Sequence, residues 1–241
     1  MTGLVDLHCH VLAGVDDGPQ DLEAAVALVQ GLEQLGFSEL YPTPHQMQSA
    51  WTPTPEQTDQ AADELRQELS RRGCRAVVHP PAGENMWDSL FQQRREEGNA
   101  FPTYPGGKAF LLEFDIQQGP PSQLKEQFFE LRLQGLLPVV AHVERYPTLT
   151  SRPELMEELG TGAALLLNLS SLASRWWGRT ARRLVKLGLV HAVASDGHNS
   201  VDIEGCRKGI NWLRSRLGQE ALDRLLVDNP IRIVAGELPL L

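Results

Sequence analysis

The chain has 241 residues, 41% hydrophobic and 22% charged, an ordinary balance for a soluble globular protein and a length suited to one α/β domain spanning 1–241. A formal net charge of −9 disfavours nucleic-acid binding, which needs basic surface. No apolar run approaches the roughly 18 residues of a membrane span, so membrane insertion is not expected.

An apolar run at 4–7 leads into Asp6-Leu7-His8-Cys9-His10. Side chains alternate along a strand, so His8 and His10 are expected on one face and Cys9 on the other, as a buried structural thiol. A helix is predicted over 21–35, with Leu22, Ala25, Val26, Val29, Leu32 and Leu35 on one stripe and Gly36 as its stop. The next strand, 38–41, ends in Thr43-Pro44-His45. After a loop at 52–55, Thr54-Pro55 opens a helix that Gly73 closes. A third strand, 75–78, is followed by Gly83-Glu84. Past a loop at 104–107, the fourth, 109–114, contains Glu113. A helix over 122–133 ends at Gly135, and the fifth strand, 136–141, runs into His142. The sixth covers 163–167. A helix over 180–187 ends at Gly188, and the seventh strand, 189–194, leads to Ser195-Asp196-Gly197-His198. Helices over 202–217 and 219–227 complete the pattern.

Strands alternating with helices predict a parallel sheet covered by helices, and seven strands in one unit favour a distorted (β/α) barrel. The three cysteines lack C-x-x-C spacing and the N-terminus lacks a secretory pattern, so a cytoplasmic, reducing location is expected.

In such a barrel the carboxyl ends of the strands converge on one face, where active sites form. Five of the seven histidines lie at those ends: His8, His10, His45, His142 and His198. His79 and His191 read as ordinary, and His191 should face away from the site because its parity is opposite to that of Asp196. With Asp17, Glu84, Glu113 and Asp196 the five histidines make a set larger than one ion needs. Imidazole and carboxylate donors suit manganese, zinc or iron. Three divalent ions against those four carboxylates leave a charge of about +2, a sign that favours a phosphate dianion.

Together these segments, with Gly14-Val15-Asp16-Asp17-Gly18, Leu111-Leu112-Glu113 and Ala141-His142-Val143-Glu144-Arg145-Tyr146, resemble the polymerase and histidinol phosphatase (PHP) superfamily. Within it they are most similar to the bacterial tyrosine-protein phosphatases of capsular and exopolysaccharide synthesis, from residue 4 to about 200. The resemblance implies a distorted seven-stranded barrel with three divalent ions, manganese first and iron or zinc as alternatives. It groups His8, His10, Glu84 and Asp196 on one ion, Glu84, Glu113 and His142 on a second, and Asp17, His45 and His198 on a third. Spacing does not choose between Asp16 and Asp17; the match favours Asp17. Arg145 matches an arginine that contacts substrate phosphate, which a guanidinium fork suits. A second such arginine is displaced here, Arg207 being its nearest counterpart. Val143, Leu166, Leu169 and Ser170 also depart from the family.

The implied activity is hydrolysis of phosphotyrosine by hydroxide held between ions, with Arg145 orienting the phosphate and Asp196 assisting proton transfer. The implied partner is a phosphotyrosine protein, a bacterial tyrosine autokinase controlling polysaccharide synthesis. Alternatives are a small-molecule phosphomonoesterase, such as a histidinol phosphatase, or a catalytically weak metal-binding regulator. A cysteine-loop phosphatase is excluded, because the position six residues after each cysteine holds Val15, Pro80 or Trp212 rather than arginine. Gly107-Lys108 lacks the rest of a phosphate loop, which excludes an ATPase. Arg175, Arg179, Arg182, Arg183 and Lys186 form a basic stripe, expected to be a solvated outer face, and at least one of Trp176 and Trp177 is expected to pack in the core or an interface.

Overall fold

Parallel strands separated by helices are what the computed structural model shows over residues 3–121 and 123–240. The strands are β1 (Leu4–Cys9), β2 (Phe37–Pro42), β3 (His45–Gln46), β4 (Val77–Val78), β5 (Glu84–Met86), β6 (Ala109–Glu113), β7 (Leu137–Val140), β8 (Ala164–Asn168) and β9 (Ala192–Ala194). The helices are α1 (Leu22–Gln34), α2 (Pro55–Arg71), α3 (Ser89–Glu96), α4 (Leu124–Leu133), α5 (Pro147–Thr150), α6 (Pro153–Gly160), α7 (Gly178–Lys186), α8 (Asp202–Asp223) and α9 (Asn229–Val234).

Ladders run in the orders β1-β2-β4 and β3-β5-β6-β7-β8-β9, all parallel. Pro42 and Pro44 lack an amide hydrogen and split the second strand into β2 and β3; Pro80 and Pro81 split the third into β4 and β5. Backbone bonds from Ala82 N to Pro42 O and from Glu84 N to Pro44 O carry the pairing across the breaks. β9 meets β1 through His10 N to Gly197 O, 3.0 Å, and Asp196 N to His8 O, 2.9 Å. Counting each interrupted pair once leaves seven staves, a distorted barrel. The expected third strand is therefore shorter than 75–78, and β3 and β5 are strands beyond the bounds expected from sequence.

Alternation sorts the core into two shells. Ala109, Leu111, Leu137, Val139, Ala164, Leu166, Ala192 and Ala194 fill the barrel interior. Their strand neighbours Phe110, Leu112, Val140, Leu165, Leu167 and Val193 pack outward against the helices. Extending the inner rows by one step reaches Glu113, Asn168 and Asp196, so the inner face turns from apolar to chemical at the carboxyl rim.

Helix starts follow their caps. Asp21 accepts from Ala24 N, and Thr54 forms a reciprocal capping box with Gln57. The expected helix over 122–133 is α4, with Ser122 outside the described residues. The predicted break between 217 and 219 is a kink at Gly218, whose φ of 84° favours glycine. Helices α3, α5, α6 and α9 were not expected from sequence, three of them having eight residues or fewer beside a proline.

His191 lies away from the rim, where its Nδ1 accepts from Leu165 N at 2.9 Å and burial pushes its pKa down to about 4. The unfolded chain takes up a proton near pH 6.5 while the folded chain does not, so stability falls as pH drops from 6.5 toward 4. The difference amounts to on the order of 3 kcal/mol by pH 4. His191→Gln should remove this component: the gap between wild-type and variant urea midpoints should shift in the variant's favour on acidification. A pH-independent gap would contradict the assignment.

Candidate metal centre

Glu84, buried at the start of β5, is the hub of the rim. Its Oε2 lies 3.1 Å from His8 Nε2, 3.3 Å from His10 Nε2 and 3.2 Å from His45 Nδ1, and its Oε1 lies 2.9 Å from His142 Nε2. Around it, Asp196 Oδ1 is 3.3 Å from His8 Nε2, and Glu113 Oε1 is 3.0 Å from His45 Nδ1. Asp17 Oδ1 approaches His45 Nε2 at 3.5 Å and His198 Nε2 at 3.3 Å. All nine side chains singled out in the sequence thus stand within one rim.

Three groups of donor atoms each fit within 4.8 Å: His10, Asp17, His45 and His198; His8, His10 and Glu84; and His45, Glu84 and Glu113. The resemblance pairs His142, not His45, with Glu84 and Glu113. Because Glu84 is central, both imidazoles reach it, and His142 Nε2 also lies 3.6 Å from Glu113.

Local backbone explains how these residues converge. β1 carries a register irregularity between Asp6 and Cys9. Val5 and Leu7 face the interior, yet His8 and His10 also reach the rim, their Nε2 atoms 3.2 Å apart. His142 and Asp196 adopt left-handed conformations, φ 34° and 50°, which non-glycine residues seldom hold. Asp196 ends the inner row of Ala192 and Ala194, while His142 follows Ala141, the last residue of its inner row. Gly18 is required by close approach: a Cβ there would lie 2.4 Å from the His10 carbonyl oxygen.

Asp16 and Asp17 divide their roles. Asp16 is buried, with Oδ2 2.7 Å from His10 Nδ1 and its two oxygens accepting from Gly18 N and His45 N. It fixes the ring from behind, as carboxylates do for metal-binding imidazoles, while Asp17 faces the cluster.

The electrostatics call for positive charge. Burial opposes charge on His10, but Asp16 and Glu84 hold it well above its ordinary pKa. For His142 burial is likewise outweighed, by Glu113 and Glu84, raising it to about 10. Against burial, His8 and its neighbours hold Glu84 well below the usual carboxylate range, and His8 and Arg145 bring Asp196 to about 2. A cluster that stabilises imidazolium this strongly, built from nitrogen and carboxylate donors, fits divalent cations.

Arg145 sits on the 3₁₀ turn Val143–Arg145, its Nη2 donating to Asp196 Oδ2 at 3.0 Å with a third of its side chain exposed. Arg207 lies on exposed α8 surface, paired with Glu204 at 3.3 Å. Cys9 is buried in the outer shell, its Sγ 3.6 Å from Tyr41 O. Sequence reasoning missed Asn168, whose Nδ2 donates to Asp196 Oδ2; Tyr146, whose hydroxyl is 3.1 Å from His142 Nδ1; and Trp51, stacked 5.2 Å over His45. The inner parity of β8 signals Asn168; no pattern signals Trp51.

Comparison with known proteins agrees with this architecture. The profile of the capsular polysaccharide synthesis family CpsB/CapC matches residues 4–235. Tyrosine-protein phosphatase YwqE of Bacillus subtilis is 29% identical over 201 residues, covering 81% of this chain and 78% of that protein. Tyrosine-protein phosphatase CpsB of Streptococcus pneumoniae is 25% identical, over 98% of this chain and all of its own length. A crystal structure from work on YwqE and CpsB, described as unique metal-dependent tyrosine phosphatases, superposes with a TM-score of 0.87 at 26% identity, covering 98% of this chain and 96% of the other. With nearly its whole length matched, the chain belongs to the CpsB/CapC family of capsular polysaccharide synthesis.

Proposed function

We propose that this chain is a metal-dependent protein-tyrosine phosphatase, a phosphoric monoester hydrolase. The observation that carries the reading is Glu84 in contact with four imidazoles at a rim that also gathers Asp17, Glu113, Asp196 and His198. His8, His10, Asp17, His45, Glu84, Glu113, His142, Asp196 and His198 would hold the ions. Three overlapping donor groups support three ions, and the donor chemistry suits manganese first, with iron or zinc as alternatives. The names of the relatives support phosphotyrosine as the substrate, and the family's place in capsule synthesis supports a bacterial tyrosine autokinase as the partner.

When bound, divalent ions supply an activated water and neutralise the phosphoryl oxygens. The chain's own groups do the rest. Arg145, held over the rim by Asp196, offers its remaining guanidinium donors to a phosphate. Asn168 Nδ2 donates to the same Asp196 oxygen as Arg145 and helps hold that carboxylate. Asp196, ionised well below neutral pH, is available to accept a proton and not to donate one. A phenolate leaving group has a pKa near 10, so its departure needs no strong acid.

Elemental analysis should find about three divalent ions per active chain, and strong chelation should abolish turnover of a phosphotyrosine peptide that manganese then restores. Full activity without stoichiometric metal would sink the reading. Preference for histidinol phosphate would reassign the substrate, and metal binding without turnover would indicate a regulator.

Cys9 takes no part in this scheme. Burial, with Asp6, Asp16 and Asp196 nearby, raises its thiol well above the ordinary range. Cys9→Ser should keep most activity, and rapid quench with labelled phosphotyrosine peptide should place label only in substrate and free phosphate. A kinetically competent phosphocysteine would overturn direct hydrolysis.

A further inference from the structure

Arg179, Arg183 and Lys186 share one face of α7, and Arg175 lies three residues ahead of its start. All four are exposed, and among the described residues none has a hydrogen bond or ion pair. Some other exposed arginines meet acids, Arg71 and Arg72 at Glu68 and Arg207 at Glu204. Arg152, Arg214 and Arg216 are exposed without an acid partner among the described residues, but they are not gathered into a groove. In a chain of net charge −9, Arg179, Arg183 and Lys186 on α7, with Arg175 just ahead of it, concentrate positive charge on one patch. They are also unfavourable for the helix itself, since like charges four residues apart repel. The first turn has no acid to offset the helix dipole.

These residues line a groove of about 550 Å³ together with Ser174, Arg182 and Leu187. Arg182 is its floor: Nε donates to Leu172 O at 2.7 Å, and the guanidinium lies 5.9 Å over the Trp212 ring. Just ahead of the helix, Trp176 is 88% exposed while its neighbour Trp177 is partly buried. A naked indole beside free cations has the composition of a protein-recognition anchor. The groove is also well placed. Barrel helices run antiparallel to the strands, so the head of α7 lies on the face that carries the ligands, and α7 packs against the turn bearing Arg145.

We infer that this groove, with Arg175, Arg179, Arg183, Lys186 and Trp176, is a docking site for an acidic segment of the phosphorylated protein substrate. The inference rests on the phosphatase reading above for the identity of that protein. Charge complementarity selects the occupant, and the concave shape suits a chain segment over a planar lipid surface. The helix is about 13 Å long, enough to accompany roughly four extended residues.

The test uses the metal-loaded enzyme and one tyrosine-containing, Asp/Glu-rich peptide in fluorescein-labelled, unphosphorylated form and in phosphorylated form. Anisotropy should show binding of the unphosphorylated peptide that weakens steeply with salt. Arg175→Glu/Arg179→Glu/Arg183→Glu should weaken it by at least about tenfold, with Arg182 left intact. A milder pair, Arg175→Gln/Arg179→Gln, and Trp176→Ala serve where the triple variant folds poorly. For the phosphorylated peptide KM should rise with kcat unchanged, while a neutral phosphotyrosine peptide should show no change in either. No binding by wild type, equal binding by the variants, or preference for phosphatidylglycerol vesicles over the peptide would overturn the inference. Salt-sensitive peptide binding without phosphotyrosine turnover would uphold the groove and defeat the phosphatase reading.

Discussion

Glu84→Ala should lower kcat on phosphotyrosine peptide by on the order of 10²–10³-fold, more than any other single carboxylate substitution in the rim. Four imidazoles converge on this side chain, from β1, β3 and the turn after β7. Removing it leaves like-charged or lone-pair-bearing rings facing one another, His8 and His10 Nε2 being 3.2 Å apart. Ions placed there would lose their common anionic ligand, so metal content should drop together with rate. Glu84→Gln keeps the volume without the charge and should fall nearly as far. Glu144→Ala is the informative contrast. Glu144 is buried and accepts from Ser171 Oγ at 2.6 Å, and burial raises its pKa. It is thus a structural anchor for the segment after β8. Its loss should lower stability by about 1–3 kcal/mol through unsatisfied partners while kcat falls less than about tenfold. Near-wild-type turnover of Glu84→Ala with unchanged metal content would remove Glu84 from the centre of the site.

Glu113 and Asp196 were legible in sequence because they lie where strand alternation continues past the end of an apolar run. Glu113 extends the row of Ala109 and Leu111, and Asp196 that of Ala192 and Ala194. Period two finds such residues without a structure. What stayed hidden depends on breaks in that period. β3 and β5 have only two and three residues, too few for a pattern, though they carry His45 and Glu84. The irregularity in β1 lets Leu7 and His8 both face inward, against simple parity. The left-handed turns at His142 and Asp196 occur at residues that give no glycine-like signal. Asp16 and Tyr146 work through their neighbours, and nothing in their spacing marks that role. The parity of β8 places Asn168 on the inner row but does not show that it holds Asp196. The same limit applies to α7: its basic stripe was visible, but whether acids answered it depended on folded neighbours.

Arg145 offers the sharpest test of substrate handling. Arg145→Ala should reduce kcat/KM on phosphotyrosine peptide by on the order of a hundredfold, about 2.7 kcal/mol of transition-state stabilisation, with metal content unchanged. The guanidinium lies at the border between cluster and solvent, donating through one nitrogen to Asp196 and leaving other donors free. Burial disfavours its charge, but Asp196, Glu144 and Glu84 more than restore it, so it stays cationic at any pH the protein survives. Arg145→Lys supplies a point charge without the planar fork. It should recover only part of the loss, and mostly in KM if charge attraction is all that remains. The competing account is that Arg145 merely neutralises Asp196. In that case Arg145→Ala would raise the pKa of Asp196, and activity would return as pH rises, because deprotonating that carboxylate would restore the site. A phosphate-binding role predicts the opposite: the deficit persists across the pH range, and inorganic phosphate inhibits the variant more weakly than the wild type. Recovery of the variant at high pH, with unchanged phosphate inhibition, would reduce Arg145 to a counter-ion.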